Sequence, residues 1–211
     1  MNTLHYIYDP MCGWCYAAAP LIAAARRIDG LNIEMHAGGM WLGAQVKKIT
    51  PQLRGYVLSN DERIAQLTGQ PFGEGYKNGL LNNTQAVLDS EPPIRAVLAA
   101  QQLAGKGLDC LAAIQTAHFV EGREVSRLAT LGDIAESLGL NRAEFEQQFA
   151  SVAWQNHLQQ SHQLMGQWGI QGYPSLLLQR GDEWGSINHS AFYGHPDDFA
   201  EQLKELIGSA A

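Results

Sequence analysis

Hydrophobic and polar positions along the chain switch period several times. Residues 3–8 alternate and are rich in β-branched and aromatic types, which predicts a strand that Asp9-Pro10 closes. Residues 12–28 form an alanine-rich stretch with Leu21, Ile22 and Ala25 on one side, which predicts a helix. Pro20 should kink it, Arg26 and Arg27 suit its negative dipole end, and Gly30 ends it. Residues 31–36 alternate again. The opening of the chain therefore reads as a βαβ unit with parallel strands and a right-handed crossover.

After a glycine-rich loop at residues 38–43 the period becomes helical from residue 59 to residue 168. Ser59 with Glu62, and Asn141 with Glu144, have the spacing of capping boxes. Strand character returns at residues 175–178 behind Gly172-Tyr173-Pro174. A turn at residues 181–185 leads to a second strand near residues 187–193. Pro196 then opens an amphipathic helix carrying Phe199, Leu203, Leu206 and Ile207. The order βαβ, helices, ββα predicts an α/β fold. One discontinuous domain, residues 1–58 and 169–211, is split by a helical insertion at residues 59–168.

Composition narrows the function. The chain has 211 residues, 45% hydrophobic and 17% charged, with 14 basic against 21 acidic residues and a net charge of −7. Such a balance lacks the positive footprint that nucleic acids and anionic membranes require. The start MNTLHYIYDP carries no secretory signal and no apolar stretch is long enough to span a membrane, so a cytoplasmic location is expected. Three cysteines are too few for a disulfide scaffold, and in a reducing compartment a close pair reads as catalytic or metal-binding.

That pair is Cys12-Gly13-Trp14-Cys15, placed where the first strand hands over to the first helix. A cysteine at a helix N-terminus meets unpaired backbone N–H groups and the positive dipole end, which favour its thiolate. Cys12 is therefore expected to be the nucleophile in disulfide exchange and Cys15, one turn further, the resolving thiol. Gly13 is expected to ease the chain into the turn. A structural zinc site would need a second half. Cys110 is isolated, and His157 and His162 stand five apart in a predicted helix, so no metal site is expected. Cys110 itself falls on an apolar helical pattern and reads as a small hydrophobe.

With Asp9-Pro10-Met11-Cys12-Gly13-Trp14-Cys15-Tyr16, Pro20, the helical insertion and Tyr173-Pro174, the chain resembles the DsbA-like family of the thioredoxin superfamily. The likeness is to its cytoplasmic, FrnE-like branch. The resemblance implies a thioredoxin fold with a large all-helical insertion, and a thiol–disulfide oxidoreductase acting on protein or small-molecule thiols and disulfides. It makes Pro174 a cis-proline facing the redox pair and sets Tyr173 beside Cys12. Gly13, Trp14, Tyr173 and Pro174 are thus the expected substrate-binding residues. No bound cofactor is implied, although glutathione is a candidate co-substrate. The alternative is a glutathione-dependent isomerase or transferase of the same fold, with Met40, Trp41, Trp154 and Trp168 as candidate lining for an aromatic molecule. Retention of both cysteines favours dithiol chemistry. The missing signal and the Gly13-Trp14 dipeptide, which lacks a histidine, depart from periplasmic DsbA proteins.

Overall fold

A computed structural model describes residues 2–208. The elements run β1 (Asn2–Tyr8), α1 (Gly13–Ala25), β2 (Leu31–Ala37), β3 (Lys47–Lys48), α2 (Pro51–Thr68), β4 (Val87–Leu88), α3 (Glu91–Ala104) and α4 (Gly107–Phe119). They continue with α5 (Leu128–Ser137), α6 (Arg142–Ser151), α7 (Trp154–Gln167), β5 (Ser175–Arg180), β6 (Glu183–Ser186) and α8 (Pro196–Gly208). The main sheet has the order β2-β1-β5-β6. β1 runs parallel to β2, and β5 and β6 are antiparallel to their neighbours. A second, two-residue ladder joins β3 to β4. This is the thioredoxin arrangement with helices inserted between its two halves.

Alternation in β1 gives the sheet two different faces. Tyr6 and Tyr8, both fully buried, stack on each other beneath α1, which also packs along α8. Thr3, His5 and Ile7 point the other way, toward the face on which β2 meets α7. α1 buries Leu21 and a run of alanines, small enough for the helix to lie close to the sheet.

Local signals explain several helix ends. Asn141 caps α6 by accepting from the Glu144 N–H at 3.1 Å, as its spacing predicts. Ser59, by contrast, is no cap: it lies inside α2, which starts at Pro51 with Thr50 accepting from the Leu53 N–H at 3.1 Å. The S-x-x-E spacing recurs by chance within a helix, and the proline at the first position is the stronger start signal. The expected change of domain at residues 58/59 consequently falls within α2. The returning hairpin also differs from expectation. Its turn is only Gly181-Asp182, with Gly181 at φ +58°, so β6 is paired at residues 183–186 and residues 189–192 wind into a short 3₁₀ turn. The helix after the cysteine pair stops at Ala25, before the two arginines.

Candidate active site

Cys12 is the N-cap of α1, with extended backbone at φ −84° and ψ 119°. Its carbonyl accepts from the N–H groups of Cys15 and Tyr16, at 3.0 and 3.1 Å, which winds the first turn and puts both thiols on one end of the helix. Both thiols are free. They differ in surroundings. Cys12 keeps 6% exposure while Cys15 has none. Burial first, then the neighbouring Cys12 thiol, push the Cys15 thiol well above its ordinary range, with the Asp9 N–H pulling the other way. That N–H donates to the Cys15 sulfur at 3.4 Å.

The C-terminal half of the chain closes the site. The Tyr173–Pro174 peptide is cis, and the Tyr173 carbonyl accepts from the Cys12 thiol at 3.5 Å across 161 residues of sequence. Tyr173 therefore touches Cys12 through its main chain. Its ring lies on the backbone of Gly38, where any Cβ would come within 1.9 Å of it. Pro174 is buried beside β5.

Gly13 and Trp14 serve packing as well as position. A Cβ on Gly13 would sit 3.0 Å from an Asp61 carboxylate oxygen and 3.1 Å from Ile64, so the small residue lets α2 approach the helix start. This is a tertiary demand; Gly13 has no positive φ, and the turn-easing role expected of it is not what the backbone requires. Trp14 packs against Tyr193 with ring centroids 5.6 Å apart and lies under the Arg63 guanidinium at 5.7 Å.

Two buried carboxyls flank the pair. Asp9 is fully buried, and burial raises its pKa. Its oxygens accept from the Met11 N–H at 2.9 Å and the Met40 N–H at 2.6 Å, which partly offset that rise and tie the loop after β2 to the loop before α1. Asp61 lies on α2. Burial pushes its pKa up to about 7, against the opposing effect of a 2.9 Å hydrogen bond from the Tyr76 hydroxyl.

Asp61 and Tyr76 line a largely apolar cavity of about 220 Å³ that opens beside Cys12, Gly13 and Trp14. Met40 and Trp41 also line it, whereas Trp154 and Trp168 do not. Nothing in the sequence marks Asp61: it sits in Ser59-Asn60-Asp61-Glu62, an ordinary polar helix run. Cys110 is buried in α4, away from this cavity, and burial pushes its thiol up to about 12.

Comparison with known proteins gives a consistent picture. The model of the DSBA-like thioredoxin domain matches residues 3–197. No curated protein matches the chain. Among solved structures, the cytosolic disulfide reductase DsbM from Pseudomonas aeruginosa is 43% identical, with a TM-score of 0.92 over 99% of this chain and 100% of that one. The same reductase with GSH is 40% identical at a TM-score of 0.89, covering 98% of this chain and 99% of the other. A putative protein disulfide isomerase from Nitrosomonas europaea is 28% identical at 0.82, covering 100% and 99%.

Proposed function

Because the chain belongs to the DSBA-like thioredoxin domain family, we propose that it is a cytosolic thiol–disulfide oxidoreductase working in the reducing direction, with Cys12 as nucleophile, Cys15 as resolving thiol and glutathione as co-substrate. The observation that carries the reading is the contact of the Cys12 thiol with the Tyr173 carbonyl next to the cis peptide. It sets the more accessible sulfur of a reduced pair against a stretch of backbone that an extended substrate can share. Similarity to the cytosolic reductase and to its GSH complex supports the direction, the location and the reductant.

In this reading the Cys12 thiolate attacks one sulfur of a substrate disulfide. The Cys12–substrate bond forms, the substrate S–S bond breaks, and the leaving thiolate takes a proton. Cys15 then gives up its proton and attacks the Cys12 sulfur, releasing the second substrate thiol and leaving a Cys12–Cys15 disulfide. Two glutathione molecules reduce that disulfide and leave as one oxidised glutathione. The surroundings of Cys15 suit this order. While Cys12 is a free thiolate, its negative charge helps to keep Cys15 protonated. Once Cys12 is bound in the mixed disulfide that charge is gone, and the Asp9 N–H is placed to receive the Cys15 thiolate.

Insulin reduction driven by glutathione tests the proposal, together with Cys15→Ser. Turnover by the native chain and a Cys12-linked mixed disulfide in the variant are the expected results. The absence of both would overturn the reading. The apolar cavity beside Cys12 favours one other reading, a glutathione-dependent isomerase or transferase acting on a small aromatic molecule. Activity on such a molecule with no insulin reduction would select it.

A further inference from the structure

The face of the sheet turned away from the cysteine pair carries a second constellation. In the parallel register of β1 and β2, His5 is opposite Glu34 and Ile7 opposite His36, so His5, Glu34 and His36 share that face. Their donor atoms converge. His5 Nδ1 and His36 Nε2 are 3.0 Å apart. The Glu34 carboxylate straddles them, one oxygen 3.7 Å from His5 Nδ1 and the other 3.7 Å from His36 Nε2. Within the whole group these atoms lie within 4.8 Å of one another.

The neighbours orient the rings. The Gln179 side-chain N–H donates to the Gly181 carbonyl at 3.0 Å, which turns its amide oxygen toward His5. That oxygen lies 3.0 Å from His5 Nε2 and must accept its proton. Nδ1 of His5 is thereby left as a bare lone pair, aimed at His36. Trp184 stacks on the His5 ring with centroids 4.4 Å apart and holds its plane. A metal-bound histidine has this same support: one nitrogen free for the ion, the other donating to a fixed oxygen.

We propose that His5, Glu34 and His36 form a binding site for a divalent transition ion of the zinc class, with Gln179 and Trp184 as its positioning residues. Zinc–ligand bonds of about 2.0–2.2 Å place tetrahedral ligand atoms about 3.3–3.5 Å apart. The observed separations of 3.0 and 3.7 Å bracket that spacing, so a few tenths of an ångström of adjustment suffice. Both histidines are buried and the Glu34 side chain is 55% exposed, which leaves the carboxylate as the entry side. In the absence of an ion His36 Nε2–H donates to the His5 Nδ1 lone pair, so binding replaces this hydrogen bond and moves the His36 proton to Nδ1. Two nitrogens and one carboxylate leave a fourth position for water. The sequence alone suggests no such site, because Glu34 and His36 are ordinary strand residues until register brings His5 to them. The site is independent of the redox reading and lies on the opposite face of the sheet.

The test uses the full-length chain with Cys12 and Cys15 oxidised to the disulfide, so that the thiols cannot compete for metal. Zn²⁺ is titrated calorimetrically, and the imidazole resonances are followed by NMR. We expect one Zn²⁺ per chain, with the His5 and His36 signals moving. Gln179→Ala should weaken binding by about 10–100-fold. Glu34→Gln, at an exposed position that leaves folding intact, should weaken it at least as much. Absence of stoichiometric binding would overturn the proposal. So would binding that neither substitution weakens, or zinc-induced shifts confined to histidines other than His5 and His36.

Discussion

The two faces of the central sheet use the same strand for opposite purposes. On one face Tyr6 and Tyr8 lie beneath α1, and the Tyr6 hydroxyl donates to the Cys15 carbonyl at 3.4 Å. This face is largely apolar and holds a thiol pair whose inner member burial keeps protonated. On the other face His5, one residue away from Tyr6, joins a polar group with His36, Glu34 and Gln179. Period-two alternation allows neighbouring residues to support unrelated chemistry without touching. Burial tunes a thiol on one face, while fixed polar partners aim lone pairs on the other.

The comparison breaks most completely at Cys12. Cys12→Ser is expected to abolish disulfide exchange in the insulin assay, while Zn²⁺ binding by the opposite face is retained. Loss of both functions would mean that the faces are coupled.

A packing change should affect both faces together. Leu21→Ala removes a fully buried side chain from α1. A loss of about 2–5 kcal/mol is expected in urea unfolding, since a cavity remains where the leucine was. A transition that melts the α1 face before the histidine face would show two separable units.

Asp61 sharpens the contrast through pH. Its folded carboxyl holds a proton up to about pH 7, whereas an unfolded aspartate releases it near about 3.9. Between those values the folded state binds the extra proton. Stability from this group is therefore full at the acid end and falls as pH rises toward 7, by up to a few kcal/mol. Asp61→Asn should flatten that part of the stability profile in denaturation series at several pH values. An unchanged slope would assign it elsewhere, with buried Asp9 contributing in the same direction.

Asn141→Ala, remote from both faces, is expected to cost about 1 kcal/mol in thermal unfolding through loss of the α6 cap. Exchange rate and metal affinity should be unchanged. Smallest of all is the effect of Cys110→Ala on exchange. Its thiol is buried and kept protonated, so the insulin assay should read the native rate.

What the sequence determined by itself was local. Alternation placed β1, the alanine-rich stretch placed α1, and the helix start placed Cys12 at a cap, since each depends on residues a few positions apart. Asn141 was legible for the same reason. Ser59 was misread because its spacing is local too but lay inside a longer helix, and a cap is settled by where the chain enters. The tertiary structure decided the rest. Asp61 and Tyr76 meet the cysteine pair only because α2 crosses the start of α1 over Gly13. The Tyr173 carbonyl reaches Cys12 only through the pairing of β1 with β5. His5 finds His36 only through the parallel register with β2. Periodicity says which face a side chain takes. Register and helix crossing say what it meets there, and they are set by the packing of the whole core.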